Sequence, residues 1–116
     1  YVRNAAAAQL APVVWLRWAW PRYTGGRDAT QARCDPLFAP HAAPGGLKGM
    51  EGVAVLVTTG KADPLHDEGI AVRDALLGAG AEVTHVDMRA GHCSGWFFDH
   101  ANKALALARI SALLRL

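Results

Sequence analysis

Serine is scarce in this 116-residue chain: only Ser94 and Ser111 occur. Neither sits in a G-x-S-x-G elbow, and no Gly-rich oxyanion stretch stands upstream of such an elbow, so a complete serine-nucleophile site is absent from the sequence as written. Cysteine is almost as rare. Cys34 and Cys93 form no C-x-x-C pair and supply too few crossings for a disulfide framework, which leaves a reducing, cytoplasmic interior as the default. Charge is thin and scattered: twelve Lys and Arg against ten Asp and Glu give a net +2, with no dense basic run of the kind nucleic-acid binders concentrate on one face. The longest apolar stretch, from Ala5 to Trp20, is interrupted by Gln9, Pro12 and Arg17, so no membrane span is predicted, and no n-region, h-region and cleavage site follow in order at the start. Internal repeats are absent too. The first residue is Tyr1, not methionine, which leads to the expectation that residues upstream are missing.

What is present is a 52% apolar composition rich in Ala and Gly, enough for a modest globular core. Two parts are expected. Residues 1–52 read as a helical and irregular segment, a lid or connection region: Asn4 can cap a helix to Ala11, and Pro12 can open a second that Pro21 stops after Trp20. Trp15, Trp18 and Trp20 are expected to pack against a sheet or a lid. The Gly and Pro pairs from Pro21 to Gly52 predict a long irregular connection.

Residues 53–116 read as a βαβα unit. The unbroken run Val53 to Thr59 suits a central strand buried on both faces of a parallel sheet. Asp67 to Leu77 has helical spacing, with acids at its start and Gly78 and Gly80 at its end. Glu82 to Met88 alternates as a strand, and Phe97 to Leu116 predicts one long closing helix. The order strand, helix, strand, helix makes the two strands parallel, so their C-terminal ends share the edge at which ligands bind in open α/β sheets.

Asp63 lies four residues past Thr59 and His92 four past Met88, which puts them in matching loops at that edge. A carboxylate in reach of an imidazole fixes its tautomer and stabilises the imidazolium, as a general base requires. The plainer reading of the same residues is a turn-forming Asp63 before Pro64 and a loop histidine without a task. A metal cluster of Asp63, His66, Asp67 and His92 matches no structural zinc spacing, and a Cys93 nucleophile would need its adjacent His92 to turn back on it. Neither metal nor organic cofactor is expected.

The segment Gly60-Lys61-Ala62-Asp63-Pro64-Leu65-His66-Asp67-Glu68-Gly69 resembles the acid-bearing segment of the hormone-sensitive lipase family of α/β-hydrolases (fold-3). Cys34-Asp35-Pro36-Leu37-Phe38-Ala39-Pro40 is similar to the family's segment just upstream, and Leu77-Gly78-Ala79-Gly80-Ala81 to its helix end. The resemblance implies the C-terminal part of an α/β-hydrolase, a serine esterase or lipase acting on a small-molecule carboxylic ester, with Asp63 as triad acid, and Asp67 and Glu68 in structural roles. The base departs from the family's pattern, His followed at once by Gly and an aromatic. Here His92 precedes Cys93 and Ser94, and only then come Gly95 and Trp96, so Ser94 stands where alignment of the Gly-aromatic pair puts the histidine, and Cys93 where the spacing from Asp63 puts it. His92 is the first candidate for the base and His100 the second; His66 and His85 read as solvated or packed. The alternative is a non-catalytic α/β module or pseudo-hydrolase, and a third reading has the chain complement a separate subunit that carries the nucleophile. The segment alone is expected to be inactive.

Overall fold

A computed structural model of the chain describes residues 13–114. The expected helix from Asn4 to Ala11 lies outside them. In order they form α1 (Val13–Tyr23), α2 (Ala29–Arg33), β1 (Ala54–Gly60), α3 (His66–Gly78), β2 (Glu82–Met88), α4 (Gly95–Phe98) and α5 (His100–Leu114).

The sheet is built as the alternation requires. β1 and β2 pair in parallel, with Ala54 opposite Glu82 and Gly60 opposite Met88. Since successive side chains point to opposite faces, Val55, Val57 and Thr59 share one face with Val83, His85 and Asp87. α3 covers that face. Leu56, Thr58 and Gly60 share the other with Thr84, Val86 and Met88. There Val86, Met88 and Ala106 of α5 form the buried centre, with Leu56 and Trp96 packed against it. α3 and α5 therefore sandwich a two-stranded sheet, and the crossover from β1 through α3 to β2 brings both strand ends to one edge.

Several boundaries correct the sequence reading. β1 starts and ends one residue later than expected. Its residues Val55 to Thr58 are half-buried, not enclosed on both sides, because among the described residues only β2 pairs with it. Pro21 does not stop α1 but sits in its last turn, where the missing N–H forfeits a single bond, and the chain leaves the helix at Thr24, whose backbone N and Oγ1 both donate to the Trp20 carbonyl. The irregular connection contains α2, capped by Asp28, which accepts from the Thr30 and Gln31 amides at 2.8 and 3.0 Å. The single closing helix is two. Asp99, at φ −98° and ψ 76°, breaks it and accepts from the Asn102 side chain and backbone to open α5.

Of the three tryptophans expected to pack, Trp20 is half-buried, while Trp15 and Trp18 are 67% and 60% exposed. Arg22 lies over the Trp18 ring at 4.1 Å, while Tyr23 turns toward Phe38 edge-on and donates to the Leu37 carbonyl, tying α1 to the following segment. No helix among the described residues is long and apolar enough to cross a membrane.

Candidate active site

Two loops leave the C-terminal ends of the parallel strands side by side. They stay tied by main chain: Lys61 N donates to the Met88 carbonyl at 2.9 Å and Ala62 N to the Ala90 carbonyl at 3.0 Å, continuing the ladder past Gly60 and Met88. Gly60 is needed at this crossing. A Cβ there would stand 2.6 Å from the Ala90 carbonyl oxygen and 2.9 Å from that of Gly91.

On the first loop, Asp63 closes a tight turn. Its N donates to the Gly60 carbonyl, its carbonyl accepts from His66 N, and its Oδ1 accepts from Leu65 N at 2.8 Å. That turn spends one carboxylate oxygen on the backbone and aims the other across the gap. On the second loop, His92 Nδ1 donates to Asp63 Oδ2 at 2.9 Å. With Nδ1 as the donor, the lone pair is left on Nε2. Asp63 is 13% exposed and His92 34%, so the carboxylate is largely withdrawn from water while the imidazole keeps one side open. Two cavities, of about 150 and about 290 Å³, share Asp63, His92, Thr58, Thr59 and Gly60 in their walls. The structure thus brings together the two residues that spacing had put in matching loops. It leaves His100 apart from them, exposed at the start of α5.

The way His92 reaches Asp63 is local. Cys93 takes a left-handed conformation, φ 55°, the only non-Gly residue to do so among the described residues. Ser94 then folds back, with its N donating to the His92 and Gly91 carbonyls and its Oγ to the Gly91 carbonyl at 3.0 Å. Ser94 is committed to holding the loop. A left-handed Cys is strained by its Cβ, so Cys93→Gly is expected to leave stability unchanged or to raise it by up to about 1 kcal/mol, whereas β-branched Cys93→Val lowers it by about 1–2 kcal/mol. Urea unfolding midpoints of the two variants check this. Cys34 and Cys93 are both free and exposed.

Beneath the loops, on the α3 face of the sheet, lies a polar chain that sequence reasoning missed. Arg73 Nη1 of α3 faces His85 Nδ1 at 3.3 Å, His85 Nε2 donates to Thr59 Oγ1 at 2.7 Å, and Thr59 donates onward to Asp87 Oδ1 at 2.8 Å. His85 is therefore packed within a network. Burial, and next the Arg73 guanidinium, hold its pKa below the ordinary 6.5, against the opposing pull of Asp87 and Asp74. A folded state that resists this proton is at full strength above about pH 6.5 and weakens as pH falls below it, since the unfolded chain binds the proton first. The urea midpoint is accordingly expected to drop between about pH 7.5 and about pH 5.5, and to drop less in His85→Phe.

At the far side, Asp99 Oδ2 accepts from Arg89 N at 2.7 Å and so anchors the root of the His92 loop to α5. That bond, then the one from the Asn102 side chain, lowers its pKa. Among the described residues, no group of three or more His, Cys, Asp or Glu could hold a metal ion.

Parallel strands with helices on both faces make this an α/β fold, and a carboxylate–imidazole pair stands at the C-terminal edge of the strands. The family model described as alpha/beta hydrolase fold matches residues 2–98, a stretch that includes both Asp63 and His92. The chain belongs to the α/β-hydrolase fold-3 family. No curated protein matches it.

Proposed function

We propose that the chain supplies the acid and the base of a serine carboxylic-ester hydrolase. The observation that carries this reading is the 2.9 Å hydrogen bond from His92 Nδ1 to Asp63 Oδ2 at the shared edge of two parallel strands. In that arrangement His92 Nε2 takes the proton of a seryl hydroxyl as it attacks the acyl carbonyl, and later returns it to the leaving alcohol. Asp63 holds the ring in the required tautomer and stabilises the imidazolium. The nucleophile has to come from outside these 116 residues, because Ser94 is bound into the His92 loop and Ser111 lies in α5. The substrate is a small-molecule carboxylic ester, and the chemistry needs neither metal nor organic cofactor.

A specific observation favours a second reading, that of a pseudo-hydrolase or non-catalytic α/β module. The Gly-aromatic pair at Gly95 and Trp96 is preceded by Ser94, not by histidine. Hydrolysis of a short-chain nitrophenyl ester by the protein as its gene encodes it separates the two. The esterase reading expects turnover by that protein and none by residues 1–116 alone; no turnover by the complete gene product would favour the module.

A further inference from the structure

The polar chain under the loops ends on residues that bracket Asp63. Asp87 accepts from Thr59, the residue before the crossing glycine, and its carboxylate also faces Lys61 Nζ at 3.9 Å and His66 Nε2 at 3.4 Å. Lys61 lies two residues before Asp63 and His66 three after it, and the His66 amide bonds the Asp63 carbonyl. His66 Nε2 is buried, with no hydrogen bond of good geometry, so the Asp87 carboxylate is its close polar neighbour. One residue further along β2, Met88 leads into the loop that carries His92. Asp87 therefore sits where both loops leave the sheet.

The chain is also directional. A neutral His85 can accept on Nδ1 only if it donates from Nε2, and Thr59 can accept from that N–H only by turning its own proton to Asp87. Each link fixes the next, and the Thr59 methyl group is wedged against α3: a Cβ on Gly69 would stand 2.6 Å from Thr59 Cγ2. A rotated Thr59 would lose both partners at once.

We propose that Thr59, His85 and Asp87 form a positioning relay for the Asp63–His92 pair, fixing the two loop roots so that Asp63 Oδ2 meets His92 Nδ1. His85 and Asp87 line neither cavity at the pair, and Thr59, which lines both, has its hydroxyl engaged with His85 and Asp87. Their effect reaches the site through the backbone on either side of Asp63, and the proposal rests on the reading of Asp63 and His92 as acid and base.

The test uses the complete gene product and the ¹⁵N resonances of its imidazoles, which distinguish an Nδ1–H ring from an Nε2–H ring. In the wild type His92 is expected in the Nδ1–H form. Thr59→Val keeps the shape and removes both hydrogen bonds, and is expected to lower the ratio of Nδ1–H to Nε2–H at His92 about fivefold, while Thr59→Ser, which restores the hydroxyl, keeps it near wild type. His85→Phe, which keeps a planar ring without nitrogens, is expected to act like Thr59→Val and carries the test should the valine variant lack a dispersed amide spectrum. A wild-type Nδ1–H signal that survives Thr59→Val or His85→Phe in a folded chain overturns the relay and leaves the acid–base reading standing. A wild-type His92 already in the Nε2–H form removes the pairing itself, and the relay with it.

Discussion

Replacing Asp63 by asparagine is expected to lower ester turnover of the complete gene product about 10⁴-fold with little change in fold. The size follows from the two jobs of the carboxylate. Asp63 Oδ2 accepts from His92 Nδ1, and an amide in its place can present its NH₂ to that nitrogen, which selects the opposite tautomer and puts a proton on the Nε2 that has to act as base. The amide also carries no charge to offset the imidazolium that forms on proton transfer. Because Asp63 Oδ1 accepts from Leu65 N, an asparagine oxygen can keep the turn, so the loss falls on chemistry more than on stability. Circular dichroism and the urea midpoint check the fold beside the kinetics.

Gly60→Val should be the most damaging single change to the site's geometry. The added Cβ would stand 2.6 Å from the Ala90 carbonyl oxygen and 2.9 Å from that of Gly91, and both neighbours are backbone, so neither can swing aside as a side chain would. Relief has to come from parting the two loops, which breaks the Ala62 N to Ala90 carbonyl bond and draws His92 away from Asp63. We expect about 2–4 kcal/mol of lost stability and loss of the His92 Nδ1–H form, with turnover of the complete gene product falling at least about 10²-fold. Gly60→Ala is expected to act in the same direction with a smaller effect. Gly95→Ala offers a contrast: its Cβ would meet the Met88 side chain at 2.5 Å, in the core beside the site, and should cost stability before it costs the pair.

The sheet half of the fold was largely legible, because period-2 and period-3.6 patterns report directly on which faces are buried. Glu82 to Met88 was bounded to the residue, and α3 begins and ends within one residue of expectation. The break at Asp99 was missed because apolar spacing runs across it and outweighed the local capping bonds from Asn102, three residues on. α2 was missed although Asp28 carried a capping signal, because the surrounding Gly and Pro outweighed five residues. Trp15 and Trp18 show the limit of composition: an aromatic cluster does not say what it packs against, and here both rings are exposed.

At the site, spacing put Asp63 and His92 in matching loops but left a turn-forming aspartate and a loop histidine as an equal reading, and it is the fold that brings the two within 2.9 Å although the residues around His92 depart from the family's pattern. The positive φ of Cys93 is what reconciles the two, and no sequence rule signals a left-handed cysteine. The hydrogen-bonded chain beneath the loops was unreadable for a different reason. Thr59, His85 and Asp87 meet only because Thr59 lies opposite Asp87 and Val57 opposite His85, and strand register is a tertiary property.

Which histidine acts as the base is the question on which the catalytic reading turns. Rates of short-chain nitrophenyl ester hydrolysis by the complete gene product, compared for His92→Ala and His100→Ala, decide it. A loss of about 10⁴- to 10⁶-fold is expected for His92→Ala, with near wild-type rates for His100→Ala. Full activity in His92→Ala, with the loss appearing in His100→Ala, would contradict it.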